Sequence, residues 1–172
     1  MDNKKRMMFI LEEDYCFVII KILAILKALE CDKKPFEDFR KMGIIFEFIK
    51  DDNNMIFFNK LLMGKELDIF ETERAMKIFC DSKLDVAVIK RVLFFLEKQE
   101  MVKLSKNNKK KSIDVLLLNN DSLTEIFEDG LLDRDLENVL SIKDLVNRVR
   151  TLKLETLQTK IFGYNEVEKW GI

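Results

Sequence analysis

Residues 85–118 read DVAVIKRVLFFLEKQEMVKLSKNNKKKSIDVLLL, and the fold is decided in this stretch. Asp85 can cap a helix that runs to about Lys98 on Val86, Ile89, Val92, Leu93, Phe95 and Leu96. Met101-Val102-Lys103-Leu104 then carries a short strand signal. Asn107-Asn108 marks a turn among lysines, and Ser112 to Leu118 is β-branched and apolar enough to return as a second strand. Just upstream, Glu71 to Phe79 reads as a helix, and Asp81-Ser82-Lys83-Leu84 as a tight turn before the next one. Helix, turn, helix, strand, basic turn, strand is the winged-helix order. Asn119-Asn120-Asp121-Ser122 closes that unit.

Outward from it, the chain is helical on both sides, with Pro 1 and Gly 5 leaving few breakers. Asp14 is placed to cap a first helix to about Leu29. Phe17, Ile20, Leu23, Ala24 and Leu26 cover most of its circumference, which makes it central. Pro35 suits the first turn of a second helix to about Lys50, carried by Phe36, Phe39, Ile44, Phe46 and Ile49. Gly43 inside that helix costs about 1 kcal/mol relative to Ala, which a close helix crossing would explain. Asn54 caps a short helix from Met55 to Met63, ended by Gly64. Ser122-Leu123-Thr124-Glu125 has capping-box spacing. From about Asp133 to Gln158, Leu136, Val139, Leu140, Leu145, Val146, Val149, Leu152 and Leu157 recur at helical spacing, a long amphipathic helix. The expected fold is mainly α (α+β). It has an N-terminal helical segment over 1–65, a winged-helix-like unit with a small hairpin over 66–120 and a C-terminal helical segment over 121–172.

Composition removes chemistry. The 172 residues contain no histidine, so an imidazole base and a histidine metal ligand are both excluded. Cys16, Cys31 and Cys80 form no C-x-x-C pair and read as reduced, buried thiols of a cytoplasmic protein. Lys+Arg 30 against Asp+Glu 31 gives net charge −1, so a case for nucleic acid rests on a local basic patch. Lys4, Lys5, Arg6 and the apolar run after them imitate a signal peptide, but Glu12, Glu13 and Asp14 interrupt it. The run from Tyr15 to Leu29 is shorter than the ~20 residues of a spanning helix and holds Lys21 and Lys27. The glycines are isolated, so no phosphate-cradling loop is present. The acidic clusters Glu66/Asp68, Glu71/Glu73 and Asp129/Asp133/Asp135 lie at helix starts, where carboxylates favour the helix dipole. Neither metal nor cofactor is expected.

Two sets of candidate site residues remain. Lys90, Arg91 and Lys98 sit on the would-be recognition helix, and Lys103, Lys106, Lys109, Lys110 and Lys111 crowd the wing, where phosphate contact would depend strongly on salt. The readings that compete with phosphate contact for the lysine turn are a solvated loop first and a protein contact after it. No Asn, Gln, Ser or Thr lies between Asp85 and Lys98, so base edges have no reader there. Phe57, Phe58, Phe94, Phe162, Tyr164 and Trp170 are candidate protein-interface anchors, with core packing as the competing reading for the paired phenylalanines.

The run from Asp14 to Leu23, the run from Phe36 to Ile49 and the basic hairpin from Val102 to Leu118 together resemble the small middle components of ABC-three component systems, among them the Lamassu-type anti-phage defence systems. The resemblance implies a non-enzymatic subunit that bridges an effector, often a nuclease, to an SMC-like ABC ATPase. Double-stranded DNA then meets the lysine wing without sequence preference, and neither a membrane nor a small-molecule substrate is involved. A stand-alone winged-helix transcriptional regulator is the alternative, and an enzyme built on carboxylates and lysine a third.

Overall fold

This computed structural model describes residues 3–163, with side chains described from Tyr15 onward. Among the described residues the elements run α1 (Asn3–Ala28), α2 (Lys41–Ile49), α3 (Asp52–Leu62), α4 (Ile69–Lys98), β1 (Val102–Asn107), β2 (Ser112–Leu117), α5 (Asp121–Glu128), α6 (Asp133–Leu145) and α7 (Leu154–Phe162). The mainly helical architecture with one small hairpin is the expected one. α1 starts before Asp14. Its stretch from Ile22 to Leu26 is wholly buried, as a helix apolar all round must be. Every residue of α2 is buried, including Lys41 and Glu47. The buried apolar side chains from Val18 to Phe162 join in one cluster. No described helix is long and apolar enough to cross a membrane.

The expected turn at residues 81–84 is absent. α4 is one helix of 30 residues. Asp81 and Ser82 suggest a turn by type, but neither glycine nor proline is there to enforce one. The Ser82 hydroxyl instead donates to the Phe79 carbonyl at 2.7 Å, within the helix. The helices packed together ahead of the hairpin are therefore α2 and α4, with α3 inserted between them in sequence. They meet at Gly43. A Cβ there would lie 2.3 Å from the Ser82 carbonyl oxygen and 3.3 Å from Val86 Cγ2. α4 begins with a capping box: the Asp68 carboxylate accepts from Glu71 N at 2.8 Å, and Glu71 accepts from Asp68 N at 3.0 Å.

β1 and β2 pair antiparallel from Val102↔Leu117 to Asn107↔Ser112. Pro35 does not start a helix. Phe36 N donates to the Val115 carbonyl at 2.8 Å, Val115 N returns to Phe36 O at 2.9 Å, and Phe39 N donates to Ile113 O at 2.9 Å. Residues 36–39 are thus spent on the free edge of β2, and α2 begins only at Lys41. The edge segment thus lies against the second hairpin strand, between α1 and α2 in sequence.

The long C-terminal helix is broken in two. α6 ends at Leu145, Arg148 has φ 60°, and α7 starts at Leu154. The carbonyls of the break have partners outside the helix. Lys41 Nζ donates to Val149 O (2.7 Å) and Arg150 O (2.8 Å), and Lys110 Nζ donates to Thr151 O (2.6 Å). The helix caps also differ from expectation. Asp51, not Asn54, caps α3 by accepting from Asn53 N. Asn120, not Ser122, caps α5 through Leu123 N. α1 is tied to α6 by Lys21 Nζ, 2.5 Å from Asp135 Oδ1.

Candidate nucleic-acid interface

A groove of about 880 Å³ runs between the C-terminal half of α4 and the hairpin. Its cations are Arg40, Lys90, Lys106 and Lys111, and Phe94 supplies an exposed aromatic edge. Glu97 also lines it, with its carboxylate taken by Leu104 N at 2.9 Å. A smaller recess of about 230 Å³ shares Arg40 and Lys111 and adds Lys109, Lys110 and Lys153, with the carboxylates of Asp38 and Glu155 beside them. The structure therefore brings Lys90, Lys106 and Lys111 to one surface, with Lys109 next to it.

Of the other expected cations, Lys110 lines only the smaller recess, and the rest go elsewhere. Arg91 lies on the far side of α4 with Tyr15, Cys16, Ile19 and Phe95 around a separate apolar pocket. Lys98 and Lys103 are exposed but do not line the groove. Lys110 is a structural clamp: besides the break carbonyl it holds Glu37 Oε2 at 2.6 Å. Arg40 was not legible as a site residue, because residue 40 was expected inside a helix. Its position comes from Asp38, which has φ 63° and is buried. The Arg40 Nε and Nη2 reach the two Asp38 oxygens at 2.8 and 2.7 Å. Burial opposes the Asp38 charge, but Arg40 and the Ser112 hydroxyl outweigh it and hold the carboxyl below its usual range.

Two titratable groups are buried in α2. Burial pushes Lys41 down to about 7, with Lys110 nearby adding to the effect. Burial, together with a hydrogen bond to Asp85, pushes Glu47 up to about 7. Folded Glu47 holds its proton where the unfolded chain has lost it, between about 4.5 and 7. Its contribution to stability is complete below that window and is lost as pH rises through it. Lys41 acts in the opposite sense, restoring stability as pH rises from about 7 to 10.5. Glu47→Gln is therefore expected to flatten the stability profile on the acid side and to raise stability at pH 8 by about 1–3 kcal/mol. Urea melts of both proteins at pH 5 and pH 8 check this.

The expected interface aromatics are mostly core. Phe58 is fully buried with its ring 4.7 Å from that of Phe48, and Phe57 is buried under the Arg74 guanidinium at 4.9 Å. Phe162 is fully buried against Phe48 (6.1 Å) and Phe79 (5.2 Å). Phe94 alone of that set is exposed, while Tyr164 and Trp170 lie outside the described residues. The large apolar side chains at the surface include Ile56, Met63, Ile69, Phe70 and Leu84. Of the thiols, Cys31 is buried, and burial raises it to about 12, but Cys16 and Cys80 are exposed rather than buried. No described group of three Cys, Asp or Glu side chains is arranged to hold a metal ion.

No protein-family model, curated protein or solved structure matches the chain.

Proposed function

We propose that this protein is a non-catalytic, winged-helix-like assembly subunit that holds nucleic-acid phosphates in the groove between α4 and the hairpin. The observation that carries the reading is the convergence of Arg40, Lys90, Lys106 and Lys111 on one groove of a chain whose net charge is only −1. Four cations facing one channel suit a phosphate backbone. The α4 side chains in the groove are Lys90, Phe94 and Glu97, none of which is an amide or hydroxyl that reads base edges in the usual pairings. That supports contact without sequence preference and weighs against an operator-reading regulator. The larger complex, an SMC-like ABC ATPase with an effector nuclease, comes from the family resemblance alone.

Lys106→Glu with Lys111→Glu tests the groove. Both side chains are exposed, so folding should be unaffected. Binding to a random-sequence duplex is expected to weaken for every sequence alike. The slope of log affinity against log salt should fall by about one for each lysine lost. Wild-type affinity and slope in the variant would take the groove out of the interface. For the assembly, a tagged chain recovered from its host at mild salt should bring down a large coiled-coil ATPase and a second protein. Recovery as a dimer on one defined DNA sequence would favour the regulator.

A further inference from the structure

α2 covers one side of α4, and the opposite side carries a stripe open to solvent along the whole helix. Phe70, Glu73, Lys77, Cys80, Leu84, Ala87, Arg91, Phe94 and Lys98 are all exposed and follow each other at alternating spacings of three and four. That spacing is the seam of a coiled coil. Phe70 is 81% exposed and Leu84 72%, so two large apolar side chains on this face have no cover within the described residues. Glu73 and Arg91 have no ion-pair partner among the described residues.

We propose that this face binds a second copy of the same chain, with the two α4 helices antiparallel and the two-fold axis at Ser82. In that register Glu73 faces the second copy's Arg91, Phe70 faces Phe94, and Cys80 faces Leu84. Lys77 lays its aliphatic stem over Ala87. Every pair occurs twice, as an isologous interface requires. The orientation is chosen by charge. A parallel pairing in register would set Glu73 on Glu73, Lys77 on Lys77 and Arg91 on Arg91, all repulsive. A helix of 30 residues offers a seam of about 45 Å. The four cations of the groove lie outside the seam, and Phe94 is the one residue that borders both surfaces, so exchanges at Glu73 and Arg91 test the dimer without touching the groove.

Sedimentation equilibrium on the full chain tests it. The natural protein should show a reversible monomer–dimer equilibrium. Glu73→Arg or Arg91→Glu alone sets like charges opposite one another twice per dimer and should raise the dissociation constant about tenfold or more. The double exchange Glu73→Arg with Arg91→Glu should bring it back. Both sites are on the solvent side, and circular dichroism of each variant checks folding. Register is read separately: Leu84→Cys should give a disulfide-linked dimer with the native Cys80 on mild oxidation, and Cys80→Ala in the same background should remove it. A natural protein that stays monomeric at high micromolar concentration overturns the proposal. So does a double exchange that fails to restore the dimer, or a crosslink indifferent to Cys80.

Discussion

Gly43→Val is expected to destabilise the protein by more than about 3 kcal/mol and to lower its melting temperature by roughly 6–12 °C. Most positions in a helix gain stability when glycine is replaced, by about 1 kcal/mol for alanine. Here the added carbon would stand 2.3 Å from the Ser82 carbonyl oxygen. That oxygen belongs to the backbone of α4, so no rotamer change clears it, and α2 must move away as a body. Moving α2 disturbs a helix whose nine residues are all buried, and it drags Phe36 and Phe39 off the edge of β2. Gly43→Ala is expected to fall in the same direction by about 1–3 kcal/mol, its propensity gain outweighed by strain. Denaturant midpoints of the two variants, with an unchanged slope, check both. Natural stability in Gly43→Ala would mean that the two helices are not held this close.

Phe162→Ala is expected to cost about 3–5 kcal/mol. The ring is fully buried between those of Phe48 and Phe79, which lie on α2 and α4, so it is the bolt that holds α7 to the crossing just described. The loss should fall locally first. Amide exchange in α7 should accelerate well before α2 and α4 are affected, because the latter retain each other. Phe162→Leu, which keeps most of the volume, should cost less than half as much. An anchor for an outside partner would behave in the opposite way, with stability kept and binding lost.

Much of this fold is visible in the residues themselves. The hairpin comes from a short strand signal at Val102, an asparagine- and lysine-rich turn and an apolar, β-branched return strand, all of it local pattern. The centrality of α1 and α2 follows from apolar residues on every side. The failures share one physical cause, which is hydrogen bonding at long sequence range. Pro35 and Phe36 resemble a helix start, but the N–H and carbonyl of Phe36 are claimed by Val115, far along the chain. Residues 133–158 keep helical periodicity across the break. Lys41 and Lys110 take carbonyls near Arg150 and hold them out of a helix, a fact the local pattern does not contain. Ser82 misled in the other direction, since a residue typical of turns sits within a helix and turns its hydroxyl to its own backbone. At the site, Lys90, Lys106 and Lys111 were legible as cations in the right elements. Arg40 was not, because its position depends on a left-handed Asp38 that only the folded hairpin stabilises.

The tie between Lys21 and Asp135 also sets a schedule for synthesis. The two residues are 114 positions apart, and α1 and α2, the most apolar helices of the chain, precede most of what covers them. At ~5–20 residues per second, many seconds separate the appearance of α2 from that of α6. During that interval the residues that end buried in α1 and α2 are made but not yet covered by α6. Lys21, meanwhile, waits for the carboxylate it holds in the finished fold until residue 135 emerges.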